Sequence, residues 1–197
     1  MASGPSSTLT TVSEASHPEP ILQIKVSLVG VAKPPVWRRL LVPATMRLDR
    51  LHAVIQTVMG WGDYHLHAFT AGDVDYGPPD PELDHVDERR TSVAEVISEP
   101  RDRLRYVYDF GDYWQHDVIV EKVLAAEPGA RYPRCVTGKG SCPPEDCGGV
   151  WGYADLRETL ADPTHEEHAE MLEWLDLESA DDFDPTAFDV DRVNALL

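Results

Sequence analysis

Residues 106–123, YVYDFGDYWQHDVIVEKV, hold two alternating apolar runs on either side of a turn. In the first arm Leu104, Tyr106, Tyr108 and Phe110 fall on one side; in the second, Trp114, His116, Val118 and Val120 share a face. Alternation with a period of two is the signature of a half-buried strand, so the stretch predicts an antiparallel hairpin over 104–110 and 114–124. The FGDY connection supplies the turn, with Gly111 free to take a positive φ.

More strands and helices surround this hairpin. Leu22, Ile24, Val26 and Leu28 alternate with Gln23, Lys25 and Ser27, which predicts a strand from Ile21. Gly30 and Pro34-Pro35 interrupt it, and VWRRLLV (36–42) predicts a second strand beyond a loop longer than a tight turn. Leu48, Leu51, Ile55 and Val58 recur at helical spacing, with Thr45 placed to cap the start and Gly60 the end. A strand is expected over 61–70, with His65, His67 and Phe69 on one face. Residues 72–90 read as an acidic, proline-rich loop, and Ser92 with Glu95 has the spacing of a capping box ahead of a short helix. Residues 127–152 contain every cysteine, many Gly and Pro, and no periodicity, so something has to organise them. Helices are expected over 153–160, after a Thr164 cap, and over 190–196.

The whole predicts an α+β fold: a mixed, mostly antiparallel sheet packed with helices, in a single domain with a cysteine-containing loop and an acidic helical C-terminal end. Residues 1–20, rich in Ser, Thr and Pro, offer little to bury and read as a disordered tail, leaving 21–197 as the domain.

Charge narrows the function classes. Asp and Glu outnumber Lys and Arg 35 to 17, for a net charge of −18. That field repels phosphate backbones, and the sequence has no basic cluster beyond Arg38-Arg39 and Arg101–Arg105, so direct nucleic-acid binding is disfavoured. No run reaches the ~20 apolar residues that span a bilayer, and the first residues lack the pattern of a secretory signal. An odd count of three cysteines then points to a reduced, cytoplasmic setting, where clustered thiols bind metal or react.

Four stretches in order, VSLVGVAKPPVWRRLLVP, LHAVIQTVMGWGDYHLHAF, YVYDFGDYWQHDVIVEKV and YPRCVTGKGSCPPEDCGGVWGY, resemble the plasmid pRiA ORF-three-like family, whose members often carry the name insertion-element passenger TnpR protein. The resemblance spans about residues 21–196 and implies an α+β fold with a mixed sheet. The TnpR name implies site-specific recombination, possible only with a nucleophilic serine among phosphate-binding arginines and a basic DNA-binding module. The serines here lie mostly in the tail and the C-terminal end is acidic, which opposes that chemistry. An accessory role alongside mobile elements, acting through protein contacts, fits better.

Two constellations carry chemistry. Cys135, Cys142 and Cys147 lie in a Gly/Pro-rich loop and suit zinc, with His116 as fourth ligand or His67 in its place. Such a site would staple the loop to the hairpin; the alternative is three unliganded thiols, or one disulfide and a free cysteine. The second is Asp109, Asp112 and His116 with His65 and His67, able to hold a cation or act as general acid and base. Here the alternative is turn-forming aspartates and packed histidines. Glu145-Asp146 is placed to support a ligating histidine. Trp37, Trp61, Trp114 and Trp151 read as packing, and Arg38-Arg39 as a solvated strand edge. Two readings follow. One is a zinc-stapled domain whose acidic C-terminal helices meet a protein partner. The other is a metal-dependent hydrolase-like enzyme using Asp109, Asp112, His67 and His116.

Overall fold

The computed structural model describes residues 19–197; the tail expected over 1–20 lies almost wholly outside the described residues. β1 (Pro20–Ala32) and β2 (Pro35–Pro43) are followed by α1 (Leu48–Met59), β3 (His67–Ala71), β4 (Val74–Gly77) and β5 (Val86–Asp87). A 3-10 turn (Glu88–Arg90) and α2 (Val93–Val96) lead to the central hairpin, β6 (Arg103–Tyr108) and β7 (Trp114–Ala125). The chain finishes with β8 (Arg134–Lys139), α3 (Gly149–Ala161), α4 (His168–Trp174) and α5 (Val190–Asn194). One eight-stranded sheet runs β5-β4-β3-β6-β7-β1-β2-β8, and every pairing but β4 with β5 is antiparallel. The fold is α+β, as the periodicities predict.

Alternation decides which face is covered. Phe69, Tyr106, His116 and Leu28 are successive cross-strand partners, and all are buried. α1 turns Leu48, Leu51, Ile55 and Val58 into the core and ends at Gly60 in the left-handed conformation, φ 90°. The same helix also buries His52 and Gln56, one turn apart. The edge strand β8 is closed by a side chain: Asn194 of α5 accepts from Cys135 N and donates to Cys135 O, both at 2.8 Å. That occupies main-chain groups an edge otherwise leaves open.

Several local expectations are corrected. β1 and β2 meet in a turn of only Lys33-Pro34, since a bulge between Ser27 and Ala32 absorbs the irregularity. The start of α1 is held not by Thr45 but by the main chain, Leu48 N donating to Thr91 O at 3.0 Å. The α4 start is not capped by Thr164, which bonds Asp162 instead. The strand expected over 61–70 begins only at His67, because Asp63 adopts φ 59° and Tyr64 N turns to the Tyr108 hydroxyl at 3.0 Å. The 72–90 loop hides β4 and β5. At the hairpin tip Asp109 and Tyr113 take the positive φ, at 58° and 55°, rather than Gly111. Gly111 N instead donates to Asp109 Oδ1 at 2.8 Å, an arrangement aspartate favours in turns.

Arg38 and Arg39 are not a shared solvated edge. Alternation sends Arg39 outward to Glu121 at 2.6 Å and Arg38 inward, where it is 2% exposed.

Candidate functional site

Among the described residues, two groups bring three His, Cys or carboxylate ligand atoms within 4.8 Å of one another: His52 with Asp63 and His67, and His65 with Asp109 and Asp146. Both draw on the short connection from α1 to β3, GDYHLH, whose odd positions part company once the strand fails to form before His67.

The second group sits at the hairpin tip. His65 Nε2 lies 3.1 Å from Asp146 Oδ1 and 3.8 Å from Asp109 Oδ2. That nitrogen is itself shielded from solvent yet makes no well-directed hydrogen bond. Asp109 is 8% exposed, while Asp146 is largely open to water, and both hold left-handed φ angles near 58° and 59°. The loop carrying Asp146 is tied down at several points. Glu145 accepts from Gly62 N at 2.8 Å and from the Tyr108 hydroxyl, and Trp61 Nε1 donates to Pro143 O at 3.0 Å. Asp112 accepts from Gly148 N at 3.2 Å. Gly149 is required there, since a Cβ would run into the Asp112 carbonyl and its φ is 67°. Burial and the Glu145 carboxylate both push the Tyr108 hydroxyl well above its ordinary range, so it stays protonated.

The first group is deeper. The His52 and His67 rings stack with centroids 3.4 Å apart and planes within 4°. His52 Nε2 meets Asp63 Oδ1 at 2.9 Å and its Nδ1 meets the Tyr106 hydroxyl at 2.8 Å. His67 Nε2 meets Glu88 Oε2 at 2.8 Å, and Gln56 Nε2 donates to Tyr106 at 2.9 Å. Burial, then the neighbouring His67, lower the His52 pKa against the pull of Asp63, so its ring is neutral at pH 7.

The cysteines do not join either group. Cys135 is buried on β8, and Cys142 and Cys147 lie in the following connection, all three free. Burial raises every thiol, Cys147 to about 12 and Cys142 further, so none is a reactive thiolate at neutral pH. His116 is fully buried with neither ring nitrogen in a well-directed hydrogen bond, although the nearby main chain of Trp114 and Tyr106 weakly favours its charge. Burial wins and lowers its pKa to about 3. Buried Arg38 donates to the carbonyls of Val58 at 2.7 Å, and of Trp37 and Lys139 at 3.0 Å, with Phe188 stacked 4.2 Å from it.

Of the hydrolase set, then, Asp109 joins His65 and Asp146, Asp112 secures Gly148, His67 pairs with Glu88, and His116 packs against Trp61 and Tyr106. Among the described residues, no group at ligand distance holds all four.

The described fold, from the first strand into the start of the last helix, falls within a match to the plasmid pRiA4b ORF-3-like protein family over residues 20–192. The chain belongs to this family. It is 42% identical over 177 residues to the uncharacterized protein y4hQ of Sinorhizobium fredii (strain NBRC 101917 / NGR234), covering 88% of this chain and 89% of that protein. It is also similar, at 38% identity and a TM-score of 0.79, to the crystal structure of the protein of unknown function MM3350 from Methanosarcina mazei Go1, covering 88% of this chain and 97% of that one. The likeness to the Methanosarcina mazei structure supports the sheet and the helices against it. The chemistry has to be read from side chains.

In this family member the residues that sequence reasoning passed over are His52, Gln56, Asp63 and Glu88. Faint signals existed: His52 and Gln56 stand one helical turn apart beside the apolar stripe of α1, and Asp63 precedes His67 by four. Glu88 was hidden in a loop whose acids all looked solvated. It is 5% exposed.

Proposed function

We propose that this protein is a metal-dependent domain with an open divalent-cation centre at the tip of its central hairpin, held by His65, Asp109 and Asp146. One imidazole and two carboxylates suit a borderline cation such as zinc or manganese. Three protein ligands leave positions for water and substrate, and a cation-bound water is acidified enough to serve as a nucleophile in hydrolysis. The observation that carries this reading is His65 Nε2, a shielded nitrogen without a well-aligned partner, faced by two carboxylate oxygens at 3.1 and 3.8 Å. The tie-downs of Glu145 and Asp112 keep the two halves of the site in register. The experiment is elemental analysis of untagged protein alongside Asp109→Asn and Asp146→Asn. The expected outcome is a bound metal diminished in both variants, with both still folded; full metal content in both would refute the site.

A second reading has its own support. His116 and the three cysteines would form a zinc staple, favoured by the unpartnered nitrogens of His116 and by Arg38, a buried cation near Cys135 and Cys142 that would balance the negative charge of a three-thiolate zinc. Metal lost in Cys142→Ser and His116→Ala but kept in Asp109→Asn selects it. On either reading a protein partner would meet the C-terminal helices, where Asp155, Glu167 and Glu170 rim a groove of about 290 Å³ beside Leu156, Met171 and Trp174.

A further inference from the structure

The stacked histidines lie apart from the hairpin-tip ligands and use none of them. Four elements deliver their surroundings: His52 comes from α1, Asp63 from the connection after it, His67 from β3 and Glu88 from the 3-10 turn. Two parallel imidazoles 3.4 Å apart, each with Nε2 against its own carboxylate, concentrate four donors on one spot where buried rings meet the surface at Asp63. Three of those atoms already lie within 4.8 Å of one another, and Glu88 Oε2 is 2.8 Å from the His67 nitrogen.

We propose that His52, His67, Asp63 and Glu88 form a second, structural metal site, closed to substrate, for a four-coordinate borderline cation such as zinc. Charge argues for it. Two imidazole ligands and two carboxylates balance a divalent cation to zero, which suits a site whose rings are shielded from water. Without a cation the same pocket keeps two carboxylates beside rings that are almost wholly out of water.

The hydrogen bonds around His52 can follow the change. In the metal-free state Gln56 donates to the Tyr106 oxygen, Tyr106 O–H donates to His52 Nδ1, and His52 Nε2–H donates to Asp63. When the cation takes the Nε2 lone pair, the ring proton belongs on Nδ1 and donates to the Tyr106 oxygen. The Gln56 amide then flips, so that the Tyr106 O–H donates to Gln56 Oε1, an oxygen that otherwise has no partner. For His52 no proton leaves the ring in that step, since one tautomer replaces the other; His67 must likewise move the proton it shares with Glu88 off Nε2 before that nitrogen ligates. Tyr106 is suited to both roles because its burial keeps the hydroxyl protonated.

The cation would lock α1 to β3 and to the turn before α2, adding to the main-chain bond from Leu48 N to Thr91 O. It is independent of the hairpin-tip centre, so its test separates the two. Chelator-treated full-length protein is titrated with Co²⁺ as a probe, reading visible absorption and heat. The panel is wild type, Asp63→Asn, His67→Gln and the Asp109→Asn/Asp146→Asn double variant. Because the Asp63 side chain is 55% exposed, Asp63→Asn should keep the metal-free melting temperature and so remains decisive if His67→Gln folds poorly. The expected result is a tetrahedral Co²⁺ spectrum in wild type and in the double variant, with affinity weakened at least ~10-fold in Asp63→Asn. The Nδ1–H resonance of His52 should appear on metal addition. Unchanged binding in Asp63→Asn, or no binding to wild type, overturns the proposal. Tetrahedral binding lost only in the double variant assigns the cation to the hairpin tip and overturns it too. Wild-type stoichiometry in the double variant, with loss in Asp63→Asn, instead removes the hairpin-tip reading and leaves this one standing.

Discussion

His116 shows how one buried side chain sets a pH dependence for the whole fold. Its folded pKa is about 3 against an ordinary value of 6.5. Above pH 6.5 the ring is neutral in both states and contributes no slope. Between 6.5 and 3 the unfolded chain takes up a proton that the folded chain refuses, so stability falls as pH falls, by about 1.4 kcal/mol per unit from this group. Below 3 its share of the slope ends. His116→Phe removes the titration and the two unpartnered nitrogens while keeping an aromatic ring between Trp61 and Tyr106. Urea denaturation of chelator-treated protein at pH 7 and pH 5 should find the variant as stable as wild type or more so at pH 7, with a shallower acid loss. A loss of several kcal/mol at pH 7 would mean that the ring nitrogens have work in the folded state even without metal.

At the scale of elements, the hairpin tip is held by close approach of main chain to main chain. Gly149 carries this contact, and Gly149→Ala combines a left-handed φ of 67° with a Cβ driven at the Asp112 carbonyl. The expected destabilisation is about 2–4 kcal/mol, read by urea denaturation. Metal should also fall away from the His65 centre, because Asp146 rides on the displaced loop. What the sequence disclosed about these elements follows from range. The central hairpin, β1, the Gly60 stop and the Ser92–Glu95 capping box depend on neighbours within a few residues, and all were legible. The 61–66 connection was not. Tyr64 and Leu66 alternate with His65 and His67 as a strand would, yet they are 80% and 59% exposed, and their main chain is claimed by Tyr108 and Asp109 from a distant hairpin. The shift at that point separates His65 from His67, and it decides which carboxylates each meets. The three cysteines stand on β8 and the connection after it, packed in or against the same core, and their spacing alone does not name a fourth ligand.

For the molecule as a whole, the net charge of −18 is the largest unbalanced quantity. Ion pairs do little to offset it: Arg39–Glu121, Arg47–Asp49, Arg89–Asp87 and Arg134–Glu127 are all partly exposed, and such pairs contribute about 0–1 kcal/mol each. Long-range repulsion among the surplus acids therefore outweighs local attraction, and salt, which screens both, should stabilise the fold. The melting temperature of metal-free protein is expected to rise steadily from about 0.01 M to about 0.5 M NaCl, over which the screening length shrinks several-fold. A fall with salt would show that the local pairs dominate. The high-salt plateau is also where specific cation binding separates from general screening. There, micromolar zinc adds nothing to ionic strength, so any further rise reports a built site. That rise should be reduced by Asp63→Asn or by Asp109→Asn, each removing a ligand, and unaffected by Asp181→Asn, an exposed acid of the same charge outside both groups.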